Sequence, residues 1–286
     1  MTVTEAQQQT LLQLKMLYNE REAANITEWV MEHVTGKKRI DRLIYKQAAL
    51  ETTQVQKLEN FLQQLASHKP IQYVLQEAWF YGMRFFVNEN VLIPRPETEE
   101  LVYWVGEESK KLTIKSQKLL EIGTGSGCIS IVLKKELPGL LITSIDVSSG
   151  ALEVAKKNAV TQEAEINFLV IDFLDEENWK RLPVFDIIVS NPPYIKQSEQ
   201  SAMSSHVTGF EPSIALFVPD EDALLFYRNI ASFAKTHLAQ QGLVFLEINE
   251  ALGKEVVELY EKEGYAVELK KDMQGKDRML KVSHTR

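Results

Sequence analysis

Cysteine is almost missing from this chain of 286 residues, where Cys128 stands alone. No disulfide can close within the chain, and no Cys/His cluster has the spacing of metal ligands, so neither a disulfide-stapled scaffold nor a metal centre is expected. Long apolar runs are missing as well. Nothing approaches the roughly 18 consecutive apolar residues of a membrane span, and the opening MTVTEAQQQTLLQLK lacks a basic segment followed by an apolar one. The expectation is a chain that is neither exported nor inserted and works in the reducing cytoplasm. Positive charge is also scarce. The 32 Lys and Arg are outnumbered by 40 Asp and Glu, giving −8, which repels a phosphate backbone and argues against stable nucleic-acid binding.

The rest of the composition is that of a globular protein, with 44% apolar and 25% charged residues. At about 150 residues per domain the length fits two domains. From Thr4 to about Leu65 the apolar residues recur at helical spacing: Leu11, Leu14, Leu17 and Tyr18, then Ile26, Trp29 and Val30. Thr27 and Thr52 are candidate helix starts, Thr52 with Gln54 and Gln56 behind it, and Gly36 is placed to end a helix. Residues 1–70 are read as a small helical domain. It holds nine Lys and Arg against eight Asp and Glu, so the acidity, −9, lies beyond Pro70.

Residues 71–94, IQYVLQEAWFYGMRFFVNENVLIP, are aromatic and β-branched around Gly82, which predicts a β-hairpin linker. Residues 95–286 form the second domain. Pro94 and Pro96 precede ETEELVYWV, a helix with an acidic first turn. Strands are expected at Lys118–Ile122, Leu140–Ile145, Ile166–Ile171, Phe185–Val189 and Leu243–Ile248, with a closing pair near Tyr265–Leu269 and Arg278–Val282. Most are apolar without polar alternation, as in strands covered on both faces. Amphipathic stretches such as ALEVAKKNAV alternate with them. The pattern implies an α/β fold, doubly wound around an open, mostly parallel sheet, with ligands at the carboxyl ends of the strands.

At the first such end, EIGTGSGCISI places Gly123, Thr124, Gly125, Ser126 and Gly127 between a strand and a helix. Glycines there tolerate positive φ and let backbone approach a ligand. The G-x-G-x-G spacing differs from the G-x-G-x-x-G of dinucleotide folds, and a plain tight turn is the alternative. Asp146 ends the next strand about 20 residues on, where a carboxylate can accept both ribose hydroxyls. Ser148 can cap the following helix, which leaves Asp146 for that task. The third strand ends at Asp172 and Phe173, a carboxylate and an aromatic face suited to adenine. Together they point to a nucleoside cofactor.

The fourth strand runs into Asn191, Pro192, Pro193 and Tyr194. Two prolines remove two N–H donors and stiffen the loop, so it presents carbonyl acceptors. Asn191 adds a side-chain acceptor and Tyr194 a flat face. This set suits a planar NH2 conjugated to a π system, as in an amide or a base amine. Its lone pair is delocalised and its N–H is too weak an acid for a protein base. Accepting both N–H bonds instead raises electron density on nitrogen and stabilises the positive charge that develops during attack. A sulfonium methyl held in line supplies the electrophile, and hydride transfer to a nicotinamide has no use for such a loop.

At this point the chain resembles the release factor glutamine methyltransferase (HemK/PrmC) family of class I S-adenosylmethionine-dependent methyltransferases. The resemblance is carried, in order, by FYGMRFFVNENVLIPRPETEELV, EIGTGSGCISI, SIDVSSGALEVAKKNA, SNPPYI, FEPSIAL and DMQGKDRML. It implies a seven-stranded methyltransferase sheet with a small N-terminal helical domain that recognises substrate, joined by the hairpin. It implies methyl transfer from S-adenosylmethionine, leaving S-adenosylhomocysteine, to the glutamine amide nitrogen in the Gly-Gly-Gln loop of class 1 peptide chain release factors. Gly123 to Gly127, Asp146, Asp172 and Phe173 would hold the cofactor. Asn191, Pro192, Pro193 and Tyr194 would hold the amide, with Asn191 also near the cofactor. Glu121 stands where the family often has Asp.

The rival is an adenine or cytosine amino-methyltransferase on nucleic acid, since a base amine is also a conjugated NH2. The charge of −9 and the absence of a basic module speak against it. A non-catalytic adaptor is disfavoured by the intact glycine and Asn-Pro-Pro-Tyr loops. Cys128 has no basic neighbour in sequence and reads as a packing residue. The Lys37, Lys38, Arg39, Arg42 and Lys46 cluster reads as a solvated face, with docking to a partner as the sharper alternative. Arg95, Glu97 and Thr98 read as helix-capping residues, with a place on the substrate rim as the sharper alternative.

Overall fold

The computed structural model describes residues 1–112, 117–203 and 208–285. They fall into two compact units, Met1–Gln76 with residues 208–210, and residues 77–203 with 211–285.

The first unit is helical: α1 (Val3–Leu14), α2 (Glu20–Thr35), α3 (Arg39–Ile44), α4 (Thr52–Ala66) and α5 (Ile71–Leu75). Its own apolar core holds Leu14, Val30, Met31, Leu58 and Leu65. Thr2 and Glu5 form a reciprocal capping box at the start of α1. Gly36 ends α2 in the left-handed conformation, φ +66°, as its position predicted. Thr27 does not start a helix. It is buried inside α2, its hydroxyl donates to the Ala23 carbonyl at 2.7 Å, and Asn19 is the N-cap, accepting from the Glu22 N–H at 3.0 Å. Thr52 is the first helical residue of α4, preceded by the cap residue Glu51, whose N–H donates to Gln54 at 3.0 Å. Arg42 departs from the solvated reading of the basic cluster: it is buried and paired with Glu28.

The hairpin expectation over 71–94 needs correction at its first part. Ile71–Leu75 is the helix α5, opened by Pro70 and closed by Gln76 at φ +56°. A short apolar run between turn signals does not by itself separate helix from strand. The hairpin proper is β1 (Ala78–Phe80) and β2 (Met83–Phe85), joined through Tyr81 and Gly82 at φ +53° and +71°. Both central residues of such a tight turn need positive φ, and the Tyr81 N–H is held by Glu99 at 2.7 Å.

Among the described residues of the second unit a seven-stranded sheet runs in the order β10-β11-β9-β6-β3-β4-β5. These strands are β3 (Lys118–Ile122), β4 (Leu141–Asp146), β5 (Asn167–Val170), β6 (Phe185–Ser190), β9 (Leu238–Glu247), β10 (Tyr265–Lys271) and β11 (Asp277–His284). β11 is antiparallel to both its neighbours, and the other pairs are parallel. The expected strands are all present.

Alternate residues feed two cores. Leu120, Ile188, Val244 and Leu246 pack with Tyr227, Ile230 and Tyr260 on one face. Leu119, Ile187, Val189 and Phe245 pack with Leu101, Trp104, Ile129 and Val132 on the other. Both faces are therefore apolar, which is why the strands show no polar alternation. The second face is covered by α6 (Pro96–Ser109) and α7 (Cys128–Glu136). Glu121 and Glu247, each alternating with apolar neighbours, fall on that side as buried carboxylates. Beyond the sheet, β7 (Ile195–Lys196) pairs with β8 (Phe217–Val218), which brings the chain after Tyr194 beside the chain after Ala215.

Candidate active site

The carboxyl ends of β3, β4, β5 and β6 surround a cavity of about 260 Å³. Its walls are supplied by Gly123–Ser126 after β3, Asp146–Ser148 after β4, Asp172–Leu174 after β5 and Asn191–Pro193 after β6, with the Asn90–Thr98 region and Pro212, Ile214 and Ala215 completing the rim. A parallel sheet with reversed strand order opens such a crevice where the first strand's neighbours diverge.

The glycine loop is set by backbone bonds. The N–H groups of Gly123 and Thr124 both donate to the Ile145 carbonyl, at 2.9 and 3.1 Å, and the Gly127 N–H donates to the Thr124 carbonyl at 2.8 Å. Gly123, Gly125 and Gly127 have φ of +75°, +52° and +79°, a region other residues enter at a cost. The glycines differ in purpose. A Cβ on Gly123 or Gly125 would meet no protein atom within 4 Å, whereas on Gly127 it would press on Ile131 and Ala155 at 3.1 and 3.2 Å. Gly127 lies outside the cavity wall and lets α7 approach α8 (Ser149–Thr161). Asn158 of α8 clamps the loop: its Nδ2 donates to the Ser126 and Phe86 carbonyls, each at 2.9 Å, and its Oδ1 accepts the Phe86 N–H at 2.7 Å.

Ser148 caps α8 by accepting the Ala151 N–H at 3.1 Å, as its position predicted. Asp146 is nonetheless engaged: Oδ2 accepts from Gly125 N–H and Oδ1 from Ser148 N–H, both at 2.9 Å. Burial raises its pKa while these donors lower it. Beneath the loop, Glu121 Oε2 accepts from Thr124 and Ser144 hydroxyls at 2.6 and 3.0 Å, while Oε1 is buried with no partner. Burial pushes this carboxyl up to about 7. Cys128 also lines the cavity, but burial holds its thiol at about 12, which rules out a ready nucleophile.

At the third strand end, Asp172 and Phe173 face the cavity. Phe173 is itself packed on Phe233 and Trp179, with ring centroids 5.4 and 5.6 Å apart, so its position is fixed. At the fourth, Asn191, Pro192 and Pro193 face the cavity and Tyr194 does not. The Tyr194 ring packs on the apolar core and its hydroxyl donates to Glu247 at 3.3 Å.

The residues that sequence reasoning left outside the site are Glu211 and Glu247, and Arg95 and Thr98 have different work from capping. Arg95 makes no side-chain cap bond. It pairs with buried Glu211 at 2.6 Å, and Glu211 also accepts the Ile93 N–H at 3.2 Å, pinning the FEPSIAL segment over the rim. Thr98 donates to Glu247 at 2.6 Å and accepts from Asn191 Nδ2 at 3.2 Å. The FEPSIAL and RPETE motifs were visible in the sequence, but their joining across more than a hundred residues was not.

The fold and the site, a glycine loop and acidic strand end beside Asn-Pro-Pro in the lining of one cavity, define a class I methyltransferase. The methyltransferase small domain model matches residues 108–208, and the PrmC N-terminal domain model matches residues 5–75. A release factor glutamine methyltransferase of Flavobacterium psychrophilum is 46% identical over 94% of this chain and 95% of its own. One of Bacteroides thetaiotaomicron is 38% identical over 93% and 95%. In fold the chain is similar to the crystal structure of the hMettl16 catalytic domain in complex with MAT2A 3′UTR hairpin 6, at 14% identity, a TM-score of 0.55 and 82% coverage of each chain. The chain belongs to the release factor glutamine methyltransferase family.

Proposed function

We propose that the chain transfers a methyl group from S-adenosylmethionine to the side-chain amide nitrogen of the glutamine in the Gly-Gly-Gln loop of class 1 peptide chain release factors. One observation carries this reading: a single cavity is lined by the glycine loop and Asp146 together with Asn191, Pro192 and Pro193, the glycine loop lying between the other two at neighbouring strand ends. The cofactor end fits its ligand on the protein's own chemistry. Space where a Cβ would stand is open at Gly123 and Gly125, and the Asp146 carboxylate, which accepts from the Gly125 and Ser148 N–H groups, keeps lone pairs for a ligand's hydroxyls.

In this reading Gly123–Ser126 hold the methionine part, Asp146 accepts from ribose hydroxyls, and Asp172 and Phe173 border the adenine. Bound S-adenosylmethionine supplies an electrophilic methyl on sulfur. The chain's own part is to hold the acceptor nitrogen. Asn191 Oδ1 and the Pro192 carbonyl accept its two N–H bonds, fix the amide plane and stabilise the charge that grows on nitrogen as the new bond forms. Burial and the Glu247 carboxylate raise the Tyr194 phenol above its ordinary range, so Tyr194 stays neutral behind the loop and takes no proton; the proton shed by the methylated nitrogen passes to water. The helical unit recognises the protein substrate, and the enzyme works in the cytoplasm; no helix among the described residues is long and apolar enough to cross a membrane.

The test is incubation with methyl-labelled S-adenosylmethionine and a purified class 1 release factor, followed by peptide mapping. Label on the Gly-Gly-Gln glutamine is the expected result. Label appearing only on an added nucleic acid would replace the reading with the base-amine one.

A further inference from the structure

Strands β6 and β9 lie side by side and parallel, with Ser190 opposite Leu246. The next residues are therefore neighbours: Asn191 is the first residue past β6, and Glu247 is the last residue of β9, paired with Met279 of β11. Thr98, on the second residue past Pro96 in α6, stands between them: its hydroxyl is 2.6 Å from Glu247 Oε2 and 3.2 Å from Asn191 Nδ2. Thr98 and Glu247 are both buried, at 3% and 2% exposure, so no water competes freely for these bonds.

We propose that Glu247, acting through Thr98, dictates which end of the Asn191 amide faces the substrate. The proposal rests on the function given above and adds two positioning residues to it. A carboxylate only accepts, and Glu247 accepts from two hydroxyls, Thr98 at Oε2 and Tyr194 at Oε1. The single Thr98 proton is thereby committed to Glu247. The Thr98 oxygen is left as an acceptor, and Asn191 can satisfy it only with its NH2 end. Oδ1 then becomes the end of the amide turned away from Thr98, which is the acceptor that a substrate N–H requires. Had Thr98 been free to donate, the amide could turn over and offer an NH2 to an NH2, a repulsive contact that holds nothing. Burial raises the Glu247 pKa above its ordinary value, and the Thr98 hydroxyl, the Arg278 guanidinium and the Tyr194 hydroxyl work against that rise; the polarity of the relay rests on the geometry, in which both hydroxyls point their donors at this one carboxyl group. Tyr194 is fixed by the same carboxylate, so one buried residue orders both ends of the Asn-Pro-Pro-Tyr loop.

Thr98→Val and Thr98→Ser separate orientation from packing. Valine keeps the shape and loses the hydroxyl, and serine keeps the hydroxyl and loses the methyl. Single-turnover methylation of a release factor, S-adenosylhomocysteine affinity by calorimetry, and hydrogen exchange of the Asn191 side-chain amide by NMR would be measured on each, with Asn191→Asp used to assign the amide signals. Thr98→Val should lose about tenfold to hundredfold in the methyl-transfer rate, the scale of a misplaced preorganised dipole, with ligand affinity within about twofold and the Asn191 amide no longer protected. Thr98→Ser should stay within about threefold of wild type with the amide protected. The reverse order, with valine matching wild type and serine impaired, would show that Thr98 only fills space and would overturn the relay. Wild-type enzyme that labels no glutamine would overturn the functional reading instead, and the relay's role in it. A valine variant that fails to fold does not settle the matter alone, so the relay is then decided on Thr98→Ser: an unprotected Asn191 amide or a rate loss beyond tenfold there overturns it.

Discussion

Asp146 Oδ2 accepts the Gly125 N–H at 2.9 Å, so the carboxylate ending β4 also fixes the glycine loop after β3. The same oxygen pair that would receive a ribose already ties down the backbone beside it. Asp146→Ala should therefore weaken S-adenosylhomocysteine binding by about 1.5 to 3 kcal/mol, the worth of a hydrogen bond to a charged group, and loosen the loop as well. Calorimetry checks this, and an unchanged affinity would mean that Asp146 serves the loop alone.

Gly125→Val places a branched side chain where no protein atom lies within 4 Å but where φ is +52°. The backbone strain should cost about 1 to 2 kcal/mol, leaving a folded protein with a lowered melting temperature. Cofactor binding should be abolished, because the side chain fills the ligand's space. Retained binding in the folded variant would put the methionine part elsewhere.

Glu121 gives a pH dependence. Its folded pKa of about 7 lies above the ordinary 4.5, so between these values the folded state keeps a proton that the unfolded state releases. Stability then falls as pH rises from about 5 to 8, by about 3 kcal/mol from this group at one pKa unit per 1.36 kcal/mol. Glu121→Gln should remove that slope. Parallel melting-temperature profiles of the two ligand-free proteins across this range would contradict the assignment.

The glycine loop, Asp146, Asp172, Phe173 and Asn191 were legible because each sits at the end of a short apolar strand, and parallel strands align such ends at one crevice. Glu247 ends a strand too, but it looked like one acidic residue among many. Its meaning comes from the β6–β9 register and from a helix 149 residues earlier in the chain, and no local pattern encodes that. Tyr194 was read as a flat face for the substrate because only its place beside the prolines was visible; its packing on the core and its bond to Glu247 are tertiary facts. Gly127 was grouped with its two companions by spacing, yet Ala155 on the next helix gives it a packing reason of its own. Thr27 failed as a helix start because Asn19, a stronger cap, stands one helical stretch earlier.

The two units have separate apolar cores. Deleting residues 1–76 should leave S-adenosylhomocysteine affinity within about threefold, since every residue lining the cavity comes later in the chain, while methylation of an intact release factor falls by about a hundredfold or more for want of docking contacts. Equal turnover by the truncated and full-length enzymes would remove substrate recognition from the helical unit.

The most direct test is the single-turnover rate of Asn191→Ala on a release factor, with S-adenosylhomocysteine affinity measured alongside. Losing an acceptor that strengthens as the nitrogen becomes positive should cost about 3 kcal/mol of barrier or more, about a hundredfold in rate, with affinity changed far less. Asn191→Asp should keep the cofactor and still be slow, because its added charge stabilises the ground state along with the transition state. A rate near wild type for Asn191→Ala would contradict the account, since the nitrogen would then be held by something other than Asn191.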